Sequence, residues 1–205
     1  MKRVLLGSRN TTRLGRFREL LAPAGIAVLS PAEQGIELSI VESSDTPEGN
    51  ATLKAKAYFQ AAGLPTFATD YSLFIDAFPP EKQPGVLVGR ILGNSGTASD
   101  DELLDYYAGE LRAIGGESEA SWIAAVVVVL GPDRVFTRRL TERALFRSER
   151  SPVLTPGEPL SSLQFVSKVG KYKSEMTVRE RANAELEIDC GIVEFVTEQL
   201  REEHS

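Results

Sequence analysis

Thr46-Pro47-Glu48-Gly49-Asn50-Ala51-Thr52-Leu53-Lys54-Ala55, followed by Pro65-Thr66-Phe67-Ala68-Thr69-Asp70, reads as a helix feeding a buried strand that ends in a carboxylate. The helical pattern continues through Ala57, Tyr58 and Ala61, with Gly63 placed to close it and Pro65 just beyond. Residues four apart share a helix face, so Asn50 and Lys54 point the same way. Upstream, the apolar run Arg3-Val4-Leu5-Leu6-Gly7 is bounded by Ser8-Arg9-Asn10, and Leu14, Phe17, Leu20 and Leu21 then recur at helical spacing. That segment reads as strand, polar turn, helix. Ala27-Val28-Leu29 ends at Pro31, and Ile36-Glu37-Leu38-Ser39-Ile40-Val41 alternates as a strand does.

Downstream, Leu73 to Phe78 forms a second apolar piece with Asp76 inside it, and the Pro- and Gly-rich stretch from Pro79 to Gly96 suits a surface loop or lid. Ser99 precedes Asp100-Asp101-Glu102 and a helical pattern of Leu103, Leu104, Tyr107 and Leu111, so it reads as an N-cap with acidic residues matching the helix dipole. Gly115-Gly116 ends that helix. Ala120 to Leu130 and Val135 to Phe146 are strand-like runs around Gly131-Pro132-Asp133-Arg134, a hairpin signal. Pro152 to Pro159 reads as loop, and Thr177 to Glu203 as mostly helix with a break near Asp189-Cys190-Gly191. The sum is an α/β domain with a mixed central sheet and helices at both ends.

Composition narrows the function. The 205 residues are 42% hydrophobic and 25% charged, the profile of a globular domain. A net charge of -6 leaves no overall positive field for a nucleic-acid backbone or an anionic membrane, so an anionic ligand must meet a local group of cations. One cysteine, Cys190, permits no internal disulfide; it reads as a small buried residue in a reduced, cytoplasmic protein. The one histidine, His204, lies beside the C-terminus, which argues against a histidine base. The N-terminal apolar run is too short for a signal peptide, and Ala124 to Leu130 is too short to span a bilayer. Catalysis, if any, falls to carboxylates, cations and a metal.

Turn amides at a helix N-terminus, with Arg13 and Lys54, would form an anion site, and Asp70 could hold a metal that neutralises phosphate oxygens. The same residues also fit ordinary caps and a solvated helix lysine, so spacing alone leaves both readings open. Asp76 reads as a satisfied carboxylate near a turn or as a site residue. Trp122 reads as core, and Arg138-Arg139, Arg147 and Arg150 as solvated edges.

Segment order carries a resemblance. Ser8-Arg9-Asn10-Thr11-Thr12-Arg13 resembles the Thr-x-Asn-x-x-Lys turn of the inosine triphosphate pyrophosphatase family, with Arg13 for its lysine. Thr46 to Ala55 is similar to its Thr-Phe-x-Glu-Asn-Ala-x-x-Lys-Ala, and Ala68-Thr69-Asp70-Tyr71-Ser72-Leu73-Phe74-Ile75-Asp76-Ala77 to its Ala-Asp-Asp-Ser-Gly-Leu-x-Val-Asp-Ala. Pro84-Gly85-Val86 with Arg90 and Gly93 resembles Pro-Gly-Val-Tyr-Ser-Ala-Arg-Tyr-Ala-Gly, and Lys173-Ser174-Glu175-Met176-Thr177-Val178-Arg179 resembles Lys-Asn-x-Ile-Ser-His-Arg. The resemblance covers almost the whole chain.

It implies one α/β domain over residues 1–200, with a mixed central sheet flanked by helices, two lobes and a cleft between them, and a short tail at 201–205. It further implies a cytoplasmic homodimer that binds no nucleic acid or membrane and cleaves a nucleoside triphosphate to monophosphate and pyrophosphate with Mg²⁺, or with Mn²⁺ in its place. Mapped by position, Ser8, Asn10, Arg13, Asn50, Lys54, Lys173 and Arg179 would bind substrate. Asp70 would orient the attacking water, and Asp70 with Glu48 would hold the metal. The chain departs from the pattern at Gly49, where the family has glutamate, and at Thr69, where it has aspartate, which takes two negative charges from the expected metal site. Glu42 and Asp45 read as solvated turn residues or as carboxylates that make up for those missing at Gly49 and Thr69. Thr177-Val178 replaces the Ser-His pair, implying a base specificity altered from inosine and xanthosine triphosphates. The alternative is a nucleotide-binding homologue that keeps the fold and dimer but does not hydrolyse.

Overall fold

The computed structural model describes residues 2–93, 98–184 and 186–202. Its seven strands are β1 (Lys2–Leu6), β2 (Ile26–Leu29), β3 (Thr66–Ile75), β4 (Glu117–Gly131), β5 (Arg134–Arg147), β6 (Gln164–Val166) and β7 (Lys171–Tyr172). They form one mixed sheet in the order β2-β1-β3-β4-β5-β6-β7. β1 pairs in parallel with β2 and β3, while β6 pairs antiparallel with β5 and β7. The helices are α1 (Thr11–Leu21), α2 (Pro47–Ala62), α3 (Asp100–Ala113), α4 (Val178–Asn183) and α5 (Glu187–Glu202). The α/β class with a mixed sheet and flanking helices is therefore as expected.

Two compact units divide the chain: Met1–Tyr71, Ala124–Leu140 and Glu187–Ser205 in the first, Ser72–Ile123 and Thr141–Leu186 in the second. Each has an apolar cluster of its own. In the first, Ala51 and Ala55 of α2 pack on Ala68 of β3 and on Ala125, Val127 and Val129 of β4. Small side chains on both surfaces let the helix backbone lie close to the sheet, which brings the polar residues of the same helix face within reach of β3. The second unit is built on larger groups, with Leu104, Tyr107 and Leu111 of α3 against Leu73, Ile75, Phe146 and Leu163.

Local signals place most helix ends. Thr46 caps α2 by accepting from the Gly49 amide, Pro47 opens it, and Gly63 closes it at φ 62°. Ser99 and Glu102 form a reciprocal capping box at the start of α3, as do Thr177 and Glu180 at α4. The hairpin turn Pro132-Asp133 joins β4 to β5.

Four expectations change. Ile36 to Val41 is not a strand; it is irregular and alternates only between half-buried and exposed positions, so it has no core face to dock. β3 does not stop at Asp70 but runs on to Ile75, which puts the carboxylate in mid-strand. The C-terminal helical region breaks before Glu187 instead of at Asp189–Gly191. Gly191 is tolerated inside α5 because the helix crosses Leu140 closely: a Cβ there would lie 2.6 Å from Leu140 Cδ2. Finally, Cys190 is exposed rather than buried. The expected loop from Pro79 to Gly96 is described as far as Gly93, and Asn94 to Gly96, like His204, lies outside the described residues.

Candidate active site

The centre of the site is one ammonium between two carboxylates. Lys54 Nζ donates to Asp70 Oδ1 at 2.6 Å and to Glu42 Oε1 at 3.1 Å, and Asn50 Nδ2 donates to Asp70 Oδ2 at 3.3 Å. Asn50 is fully buried and Asp70 is 8% exposed. The helix spacing of Asn50 and Lys54 thus does what the sequence required of it: both residues meet the same carboxylate.

Asp70 is held uneasily. Burial pushes its carboxyl above the ordinary value of 3.8, while the charge and hydrogen bond of Lys54 and the Asn50 amide pull it back; the nearby charge of Glu42 raises it further. The largest of these effects is desolvation, so the net shift is upward in spite of the ammonium beside it.

Glu42 is one of two upstream acids whose part the sequence left open, and it is the one that reaches Lys54. It lies in the irregular segment before α2, and no periodicity marks it. Its position follows from Ser44, whose amide donates to Asn50 Oδ1 at 3.0 Å and whose carbonyl accepts from Asn50 Nδ2 at 3.1 Å. Gly49 makes the seat for this segment: a Cβ there would stand 2.0 Å from Ser44 Oγ and 2.6 Å from Ser44 Cβ. The missing side chain at position 49 and the arrival of Glu42 are thus parts of one packing arrangement. The signal that could have found it was the conjunction of a glycine inside a helix start with an acidic residue a few positions upstream.

Glu48, the other expected metal residue, is engaged elsewhere, with its Oε1 2.8 Å from Arg139 Nη1. Among the described residues no group of three or more His, Cys, Asp and Glu side chains is arranged to hold a metal ion. A Mg²⁺ bound with substrate needs only one or two carboxylates beside phosphate oxygens. Asp70 and Glu42 meet that requirement in chemistry, being hard oxygen donors, and Lys54 already stands between them as a cation.

The turn after β1 builds a second group. Asn10 caps α1 by accepting from the Arg13 amide at 2.8 Å, and Ser8 Oγ accepts from the Asn10 amide at 3.2 Å. Arg13 reaches Thr69 and Tyr71, whereas Lys54 reaches Asp70. Successive strand residues face opposite sides of a sheet, so the two cations come to β3 from its two faces. Lys173 and Arg179 belong to the second unit. Lys173 Nζ lies 3.3 Å from the buried Glu142, which also accepts from Gln164 Nε2 at 3.2 Å, and Gln164 in turn accepts from Trp122 Nε1 at 3.1 Å. Arg179 is exposed. Asp76, weighed as a site residue, is also exposed, and Arg143 holds it at 2.6 Å and keeps its carboxyl below the ordinary value.

Comparison with known proteins now bears on this geometry. The Ham1 family profile matches residues 4–148, which include Glu42, Asn50, Lys54 and Asp70. The chain belongs to the Ham1 family. Lys173 and Arg179 lie outside the matched stretch. A dITP/XTP pyrophosphatase of Symbiobacterium thermophilum is 30% identical over 183 residues, covering 88% of this chain and 86% of that protein. One from Pectobacterium atrosepticum is 28% identical, covering 90% and 91%. Among solved structures, a Ham1 protein from Coxiella burnetii has a TM-score of 0.76 at 22% identity, over 98% of this chain and 100% of that one. The Staphylococcus aureus Ham1 protein gives 0.74 at 17% identity, with the same coverage, and the two share this fold. The sequence resemblance to the inosine triphosphate pyrophosphatase family stands on these matches. Among the described residues no helix is long and apolar enough to cross a membrane.

Proposed function

We propose that this Ham1-family chain hydrolyses a nucleoside triphosphate to the monophosphate and pyrophosphate, with a base preference altered from inosine and xanthosine triphosphates. The observation that carries the proposal is the partly buried Glu42–Lys54–Asp70 group, backed by the buried Asn50, in a chain whose relatives are named dITP/XTP pyrophosphatases. Such a group supplies a proton acceptor and a transferable cation at one point.

Mg²⁺, or Mn²⁺ in its place, would be held by Asp70 and Glu42 and would neutralise charge on the phosphoryl oxygens. Asp70 accepts the proton of the attacking water. Asn50 fixes the orientation of that carboxylate through its second oxygen. Lys54 leaves the carboxylates for phosphate oxygens as substrate enters, so its charge stays in the site throughout. β1 stops pairing with β3 at Phe67, so a polyphosphate can pass around that edge of β3 and its tail meets Arg13 and the capped first turn of α1 on the other face. Thr177 and Val178 in place of a Ser-His pair support the altered base preference. The working form is a cytoplasmic homodimer with a nucleoside triphosphate as its partner.

A second reading, binding without hydrolysis, draws support from both Asp70 oxygens being engaged already by Lys54 and Asn50. Pyrophosphate release across ordinary and deaminated nucleoside triphosphates with Mg²⁺ or Mn²⁺ separates the two. Turnover on at least one of them, lost in Asp70→Asn, upholds hydrolysis. Thermal stabilisation by nucleotide without any turnover upholds the second reading.

A further inference from the structure

Arg13 and Lys54 are cations of different kinds. The charge of Lys54 is met inside the protein by Glu42 and Asp70. The Arg13 guanidinium has no carboxylate partner among the described residues. Its Cζ lies 4.7 Å from the centroid of the Tyr71 ring, Nη1 donates to Thr69 Oγ1 at 3.4 Å, and Nε is buried without a hydrogen-bond partner. The distinction matters because a carboxylate neutralises a guanidinium, whereas an aromatic face attracts it and fixes its plane while leaving its full charge. Arg13 also sits in the first turn of α1, which carries no acidic residue, so the positive end of the helix dipole adds to its charge instead of being offset.

We propose that Tyr71 is a positioning residue: its ring, with the Thr69 hydroxyl beside it, holds the Arg13 guanidinium in one orientation and fully charged, ready for the phosphate chain of the nucleotide. The role rests on the triphosphate reading above and adds to it a residue that acts only through Arg13. A planar fork is effective on phosphate oxygens when its plane is set in advance, since less conformational freedom is then lost on binding. Tyr71 supplies that plane from the strand on which Asp70 also lies.

Four variants test it: Tyr71→Leu, Tyr71→Phe, Arg13→Ala and the double variant Arg13→Ala/Tyr71→Leu. Two readouts are taken, steady-state pyrophosphate release and calorimetric binding of inorganic tripolyphosphate. Tyr71→Leu raises KM and the tripolyphosphate Kd about tenfold and leaves kcat within about twofold, because the lost contact orients a binding group and not the reacting one. Tyr71→Phe, which keeps the ring, stays within about twofold in both. In the Arg13→Ala background Tyr71→Leu adds nothing further, a non-additivity that general destabilisation does not produce. Equal losses in the Leu and Phe variants, or an undiminished Tyr71→Leu effect without Arg13, overturn the proposal, as does a wild-type chain that does not bind tripolyphosphate. Binding needs no turnover, so a wild-type chain that releases no pyrophosphate but binds tripolyphosphate through Arg13 and Tyr71 defeats the hydrolysis reading alone.

Discussion

Asp70 and Asp76 are nearby aspartates, one inside β3 and one just past its end, yet their surroundings push them in opposite directions. Asp70 is 8% exposed, and burial raises its carboxyl above 3.8 in spite of Lys54. The side chain of Asp76 is 50% exposed, and its hydrogen bonds to Arg143 lower it below the same value. Each aspartate has a cation 2.6 Å away, so ion-pair distance does not separate them. Desolvation does. An ion pair in water is a weak surface ornament, whereas the same pair out of water holds a charge that a phosphate or a metal can exchange for something better.

The sharpest way to break this comparison is to neutralise each aspartate in turn. On the proposed hydrolysis, Asp70→Asn removes the proton acceptor and one of the two carboxylates that would hold the metal, and kcat/KM for pyrophosphate release falls by roughly 100-fold or more. Asp76→Asn changes it by less than about twofold. Comparable losses in the two variants would mean that burial does not identify the reacting carboxylate.

Gly49→Ala gives the next largest effect. The added Cβ would lie 2.0 Å from Ser44 Oγ, so the segment before α2 lifts and withdraws Glu42 from Lys54. Mn²⁺ binding in the presence of a non-hydrolysable triphosphate analogue weakens on the order of tenfold. Ser44→Gly in the same chain removes both clashing atoms and restores most of it. Glu42 has no part in the site if Gly49→Ala binds Mn²⁺ as wild type does.

Opposite pKa directions also give opposite pH dependences of stability. The Asp70 value is raised on folding, so its contribution is fully present below the ordinary value of 3.8 and is lost as pH rises through the folded value. The Asp76 value is lowered, so its contribution is present above 3.8 and is lost as pH falls through the folded value. Thermal melts across acid pH should therefore show a flatter profile above 3.8 for Asp70→Asn and a flatter profile below 3.8 for Asp76→Asn. Smallest of all is Arg143→Ala, which breaks only exposed contacts, to Asp76, Glu119 and Ser121, and should move Tm by less than about 2 °C at neutral pH.

Much of the scaffold was legible in advance because its signals are local. Thr46, Pro47 and Gly63 bound α2, Ser99 and Glu102 bound the start of α3, and the Pro132-Asp133 turn sets the hairpin. Each relies on backbone conformations or caps that a few neighbouring residues settle. Ile36 to Val41 shows where such reading fails, since alternation makes a strand only when one face has something to bury against. Glu42 shows the same limit in the site, for its role depends on Ser44 resting on Gly49 and on Asn50 binding the Ser44 backbone.

The sequence by itself determined the α/β class, the caps, the pairing of Asn50 with Lys54 on one helix face and the choice of Asp70 as the central carboxylate. Tertiary structure decided that Glu42 joins Asp70, that Glu48 goes to Arg139, and that Arg13 is held by an aromatic ring and not by an acid. The reason is physical. Periodicity and capping act over a few residues of chain, whereas desolvation and the competition of one cation for several carboxylates depend on which distant segments are packed against each other.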